Sequence, residues 1–191
     1  VHVGGSNPPV GGASNGRNER IVLRNSRVTN NVDMGYLGAC DGCAVESSQF
    51  DNNGFGAAVF NHNIYFSGSS GGSVGMRAVG NDLHRSAVIG GTCQGSSLVV
   101  HGVHDGLLIE GNTIHEDIGA AGQGCWGIQM DAGYAEAEGF RNVTIRGNTV
   151  VNVGNLGIGL NACANCVIEN NVVVNEQRFG SVAIAVPARD R

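Results

Sequence analysis

Lysine is absent from this chain: all eleven basic residues are arginine, set against sixteen acidic ones for a formal net charge of −5. An acidic chain with no basic cluster lacks the means to neutralise phosphate, which excludes nucleic acid and anionic membrane surfaces as expected partners. Any cation the chain brings to a reaction must therefore be an arginine, a histidine or a bound metal. No stretch approaches the roughly 18 apolar residues of a membrane span, and no signal-peptide pattern is present, so membrane insertion is not expected. No long segment keeps a 3.6-residue apolar period either, and 32 of the 191 residues are glycine, which argues against amphipathic helices.

What the chain has instead is one short phrase written six times: IVLRNSRVTN (21–30), CAVESSQFDN (43–52), MRAVGNDLHR (76–85), LLIEGNTIHE (107–116), VTIRGNTVVN (143–152) and CVIENNVVVN (166–175). Each phrase has apolar residues at its first, third and eighth positions and a small polar residue at its sixth. Each therefore reads as a strand, a tight polar bend and the start of another strand. The intervals lie in or near the range that marks a solenoid, and the two shortest give the bare coil. The longer ones carry extra residues that must leave the repeated core as loops. Ser26, Ser48, Asn81, Asn112, Asn148 and Asn171 are expected to stack at about 4.8 Å, the spacing of paired strands, with each Asn bonding to its neighbours and to the bend backbone.

This spelling resembles the right-handed parallel β-helix of the pectate-lyase-like superfamily, from about Arg20 to Val186. The expected fold is all-β: one domain, residues 1–191, forming a single-stranded right-handed parallel β-helix of about six coils. The start of the chain, VHVGG (1–5), reads as the tail of an earlier coil, and no polar cap is visible at either end. A solenoid needs its ends covered. A longer β-helix, a mature product, or end-to-end and homo-oligomeric contacts at the coil ends are the expected answers.

Six cysteines form two Cys-x-x-Cys pairs, Cys40/Cys43 and Cys163/Cys166, and a distant pair, Cys93 and Cys125. Four coils at about 4.8 Å separate the two close pairs by roughly 19 Å, too far to share one zinc ion. Each close pair suits a local disulfide or two buried thiols, and Cys93 with Cys125 is placed to bridge two large loops. Three disulfides would imply an oxidising, extracellular or cell-surface setting.

Chemistry is expected where coils align side chains into columns. The strands NIYFS (63–67), SLVVH (97–101), GIQMD (127–131) and GIGLN (157–161) alternate. Ile64, Leu98, Ile128 and Ile158 form one inward stack and Phe66, Val100, Met130 and Leu160 another. Facing outward are Tyr65, Val99, Gln129 and Gly159, then Ser67, His101, Asp131 and Asn161. Ser67, His101 and Asp131 superficially resemble a nucleophile, base and acid, but no Gly-x-Ser-x-Gly elbow accompanies them, so a serine hydrolase is not expected. The catalytic candidates are His101, Asp131 and Tyr65, working as acid and base; the substrate-binding candidates are Gln129, Asn161, Ser67 and Tyr134. No metal ligand and no cofactor is assigned.

Other polar residues receive plainer readings. His62 points inward as a structural histidine, and His104 with Asp105 marks a turn. Trp126 and Tyr134 are the aromatics best placed to stack on a sugar ring, although Trp126 falls in the inward register, with core as its alternative reading; His84 and His115 face solvent, and Glu116 and Asp117 have no identified partner. The resemblance implies a polysaccharide partner bound along an exposed sheet by a lyase, epimerase or glycoside hydrolase. A uronan reaction would use Tyr65 or His101 for proton transfer, and a hydrolase would need a second carboxylate beside Asp131. The absence of lysine and of an acidic calcium cluster departs from the pectate-lyase-like pattern. The alternative is a non-catalytic β-helix of a surface assembly, filament or phage-tailspike-like particle.

Overall fold

The computed structural model describes residues 1–3, 18–68, 72–134 and 137–187. No helix occurs among the described residues; the structure is all-β, and all but one of its sheets are parallel. The six phrases build two of these sheets. Their first halves, Val22–Arg24, Ala44–Glu46, Arg77–Val79, Leu108–Glu110, Thr144–Arg146 and Val167–Glu169, pair in chain order as the first sheet. Their second halves, from Arg27–Thr29 through Val172–Val174, form the second sheet in the same order. The chain thus returns to each sheet once per repeat, an arrangement consistent with a β-solenoid.

The bend between these halves is set by two adjacent positions. The fifth residue of every phrase, Asn25, Ser47, Gly80, Gly111, Gly147 and Asn170, has positive φ, which Asn and Gly tolerate best. The sixth residue builds the expected ladder. The Nδ2 of Asn81, Asn112 and Asn148 each donates to the Oδ1 of the next Asn at 2.9 Å. The same nitrogens donate to the carbonyls of Val45, Ala78 and Ile109. Three of these Asn are fully buried, so every bond offsets a desolvation cost that would otherwise stand.

A third sheet carries Tyr36–Gly38, Ile64–Ser67, Ser96–His101, Trp126–Met130, Leu156–Leu160 and Val182–Ala185, with His2–Val3 at one edge. Its register pairs Ile64, Leu98, Ile128 and Ile158 in one row and Phe66, Val100, Met130 and Leu160 in the next, as the alternation predicts. All eight are buried. They meet the first, third and eighth residues of the phrases, including Val45, Phe50, Leu83, Ile109, Ile114 and Ile145, in one continuous core. A short fourth sheet, Ser73–Val74, Val103–Asp105, Gly139–Arg141 and Cys163–Ala164, closes the remaining corner, so His104 lies in a buried strand where the sequence suggests a turn.

Three disulfides link Cys40 to Cys43, Cys93 to Cys125 and Cys163 to Cys166, with Cα–Cα distances of 5.7, 5.1 and 6.1 Å. They suggest an oxidising environment. Cys93 ends a small antiparallel hairpin, Val88–Ile89 with Thr92–Cys93, that belongs to one of the long repeats. No helix among the described residues is long and apolar enough to cross a membrane.

Candidate functional site

The outer face of the third sheet holds the outward residues in the expected register: Tyr65, Val99, Gln129 and Gly159 are paired in one column, and His101 lies opposite Ser67 in the next. Asp131 and Asn161 continue that second column, their amides donating to Val100 and Met130 one strand back. Ser67 is half-buried beside His101 and makes no side-chain hydrogen bond among those described.

His101 is 9% exposed, and its Nδ1 lies 2.6 Å from the backbone carbonyl of Asp131, not from the carboxylate. A carbonyl only accepts, so Nδ1 carries a proton, and the ring in its neutral form holds its lone pair on Nε2, the arrangement a general base requires. The Asp131 carboxylate instead accepts from Asn161 Nδ2 at 2.7 Å, while Asn161 Oδ1 accepts from Ala132 N at 2.9 Å. His101 is framed by aromatic rings: Tyr65 packs edge-on at 5.6 Å and Tyr134 at 4.5 Å. The Tyr134 segment thus folds back over the column, held in part by Tyr134 N donating to Glu138 Oε2 at 3.0 Å.

Burial, reinforced by Tyr134 and Glu138, pushes the Tyr65 phenol up to about 12. At neutral pH it is a proton donor. His62, edge-on to Tyr65 at 5.7 Å, is pushed down to about 3 by burial, and its Nδ1 bonds to the Ser96 carbonyl at 3.2 Å. The neutral, satisfied His62 matches its expected structural role.

Gln129 belongs to a second group of residues. Ser96 Oγ donates to Gln129 Oε1 at 2.6 Å, which leaves the Gln129 amide hydrogens for another acceptor. Gln129 and Trp126 together line two adjoining clefts. One, of about 280 Å³, is bounded by Val59, Gln94, Ser96, Gln123 and Gly124. The other, of about 210 Å³, runs past Asp131, Leu156, Gly159 and Asn161.

Of the two sequence readings of Trp126, a sugar-stacking aromatic or an inward core residue, its place in the lining of both clefts favours the first. The alternation breaks at Gly127, where a side chain would meet Val150 Cγ1 at 2.7 Å on the inner side. With both Gly127 and Ile128 turned inward, Trp126 joins Gln129 on the outer face. The expected site residues thus separate into two neighbours: Tyr65, His101 and Tyr134 form a covered aromatic cluster, and Gln129, Asp131 and Asn161 line the open clefts with Trp126. Asp131 connects them, its carbonyl serving the cluster and its carboxylate the cleft.

The second sheet adds partners that the sequence did not show. His84 and His115, both partly exposed, stack on each other at 4.2 Å. Their Nε2 atoms meet Asp117 at 3.1 Å and Asp82 at 2.9 Å. Glu116 accepts from Ser86 N at 2.9 Å, so neither acid in the 116–117 pair lacks a partner. Compared with known proteins, the chain matches no family model, no curated protein and no solved structure.

Proposed function

We propose that this protein is a single-stranded right-handed parallel β-helix that binds an extended, neutral polysaccharide outside the cell along the outer face of its third sheet. The carrying observation is the pair of clefts that meet at Trp126 and Gln129. An indole beside amide and carboxylate groups suits a sugar, whose ring offers apolar C–H faces and polar edges. Two adjoining clefts suit consecutive sugars of one chain.

The charge of the clefts narrows the substrate class. Among the described residues their lining includes Asp131 and no arginine, so there a uronate carboxylate would meet a like charge and no cation. Hydrolysis would need two carboxylates across the scissile bond, and the described residues of the clefts supply one. Recognition is accordingly the primary role of the cleft residues. The Tyr65 and His101 cluster supplies a proton donor and a base beside the clefts, and it becomes accessible to substrate where Tyr134 is displaced.

A glycan array of the purified chain, followed by reducing-end and unsaturated-product assays on every glycan retained, tests this reading. Retention of neutral polymers such as xylan, weakened by Trp126→Ala and Gln129→Ala, is the expected result. Retention of none, or binding unchanged in both variants, rejects it in favour of a non-catalytic shaft.

A further inference from the structure

Outside the clefts, Tyr36 Oη, Ser73 Oγ, Ser97 Oγ, His104 Nδ1 and Glu116 Oε2 are buried with no hydrogen-bond partner among the described residues, and of these Glu116 is the one that lies beside metal-ligating side chains. At the tenth position of four of the other five phrases Asn30, Asn52, Arg85 and Asn152 take positive φ, while Glu116 and Asn175 do not. Asn175 is exposed, whereas the Glu116 side chain turns inward, leaving the residue 4% exposed. There one oxygen, Oε1, takes the Ser86 amide, as Asn53 Oδ1 takes the Asn31 amide two rungs away. That task needs one acceptor, and an Asn performs it. The second oxygen, Oε2, is buried with no hydrogen-bond partner, a cost that a purely structural ladder residue would not carry.

A carboxylate oxygen of Glu116 and the sulfurs of Cys93 and Cys125 all lie within 4.8 Å of one another, and both cysteines are fully buried. We propose that Cys93, Cys125 and Glu116 form a redox-gated site for a thiophilic divalent cation of the zinc type, occupied when the Cys93–Cys125 disulfide is reduced. Thiolate and carboxylate are each zinc ligands, and three protein ligands leave a fourth position for water. A tetrahedral site with Zn–S of about 2.3 Å sets its sulfurs about 3.8 Å apart. The hairpin ending at Cys93, whose tip at Gly90 and Gly91 is exposed, is the segment that would shift to give this separation.

The conversion balances. A dithiol reductant delivers two electrons and two protons, the S–S bond breaks to give two thiols, and the reductant becomes a disulfide. The metal ion then displaces the two thiol protons and the carboxyl proton, releasing three protons and leaving a site of net charge −1. Disulfide and metal are alternative occupants of one buried position. Under oxidising conditions the disulfide holds it, and under reducing conditions the metal replaces the lost crosslink.

The test is a Co2+ titration of the reduced full chain without oxygen, read by thiolate-to-cobalt charge-transfer absorption and by far-ultraviolet circular dichroism. The intact chain is compared with C93S/C125S and with E116Q. The expected result is that C93S/C125S binds one Co2+ fewer per chain than the intact protein, and that E116Q weakens this site at least tenfold without changing any metal held by the Cys-x-x-Cys pairs. Equal stoichiometry in C93S/C125S, or an unchanged affinity in E116Q, overturns the proposal. If reduction unfolds the chain, the same titration is followed as refolding: recovery of the native spectrum with one equivalent at this site supports it, and no recovery overturns it.

Discussion

The His101 imidazole is bonded through Nδ1 to the backbone carbonyl of Asp131 at 2.6 Å, while the Asp131 side chain is bonded to Asn161 at 2.7 Å. The two residues are neighbours without being an acid–base pair. The ring orientation therefore does not depend on the Asp131 carboxylate. In Asp131→Asn the His101 Nδ1–H tautomer should persist, observed by long-range 1H–15N correlation. A switch to the Nε2–H tautomer would show that the carboxylate directs the ring.

The asparagine ladder should be most sensitive at its centre. Asn112 donates to Ala78 O and Asn148 Oδ1, and it accepts from both the backbone and side-chain nitrogens of Asn81. Asn112→Ala leaves several buried groups unsatisfied, each at about 1–3 kcal/mol, so a loss of roughly 3 kcal/mol or more is expected. Asn171 ends the ladder and is half-buried, so Asn171→Ala should cost about 1 kcal/mol. Urea midpoints at constant m-value give the comparison; equal costs would mean that the rungs are not cooperatively satisfied.

The core register makes a paired prediction. Ile128 is fully buried between Leu98 and Ile158, so Ile128→Asp places an unpaired charge in an apolar stack and should abolish cooperative folding. Ile184 continues the same row but is 46% exposed, and Ile184→Asp should fold. A soluble Ile128→Asp protein with a cooperative thermal transition would remove the register on which the columns depend.

Two buried histidines contribute to the acid limb of stability. Burial pushes His62 down to about 3 and His104 to about 4. Their ordinary value is near 6.5. Both native sites exclude the proton that the unfolded chain accepts, so their stabilising contribution is present above about pH 6.5 and is lost as pH falls towards the folded values. Thermal midpoints should decline between about pH 6.5 and 4. His62→Gln should show a shallower decline in that window; an identical slope would mean that His62 is not held neutral.

Much of this architecture was legible because a repeat states its register many times over. The apolar first, third and eighth positions and the polar sixth each had one role in every phrase, and the alternation that placed Tyr65, Gln129, His101 and Asp131 outward followed from strand geometry alone. The same rule failed at Trp126, because the close fit of Gly127 against Val150 is a tertiary contact that no local pattern encodes. Glu116 was missed for a related reason. Its burial is a tertiary effect, and its neighbours Cys93 and Cys125 arrive from segments that lie outside the phrase.

Trp126 is the chain's single tryptophan, so its emission reports the clefts alone. Titration of the purified protein with neutral xylo-oligosaccharides and, separately, with oligogalacturonates, monitored by that emission, tests the central claim most directly. A saturable change is expected with the neutral oligomers, one that tightens with chain length as both clefts fill, is weakened in Gln129→Ala, and is at least tenfold weaker with the uronates. No change with neutral oligomers, or tighter binding of the uronates, would contradict it.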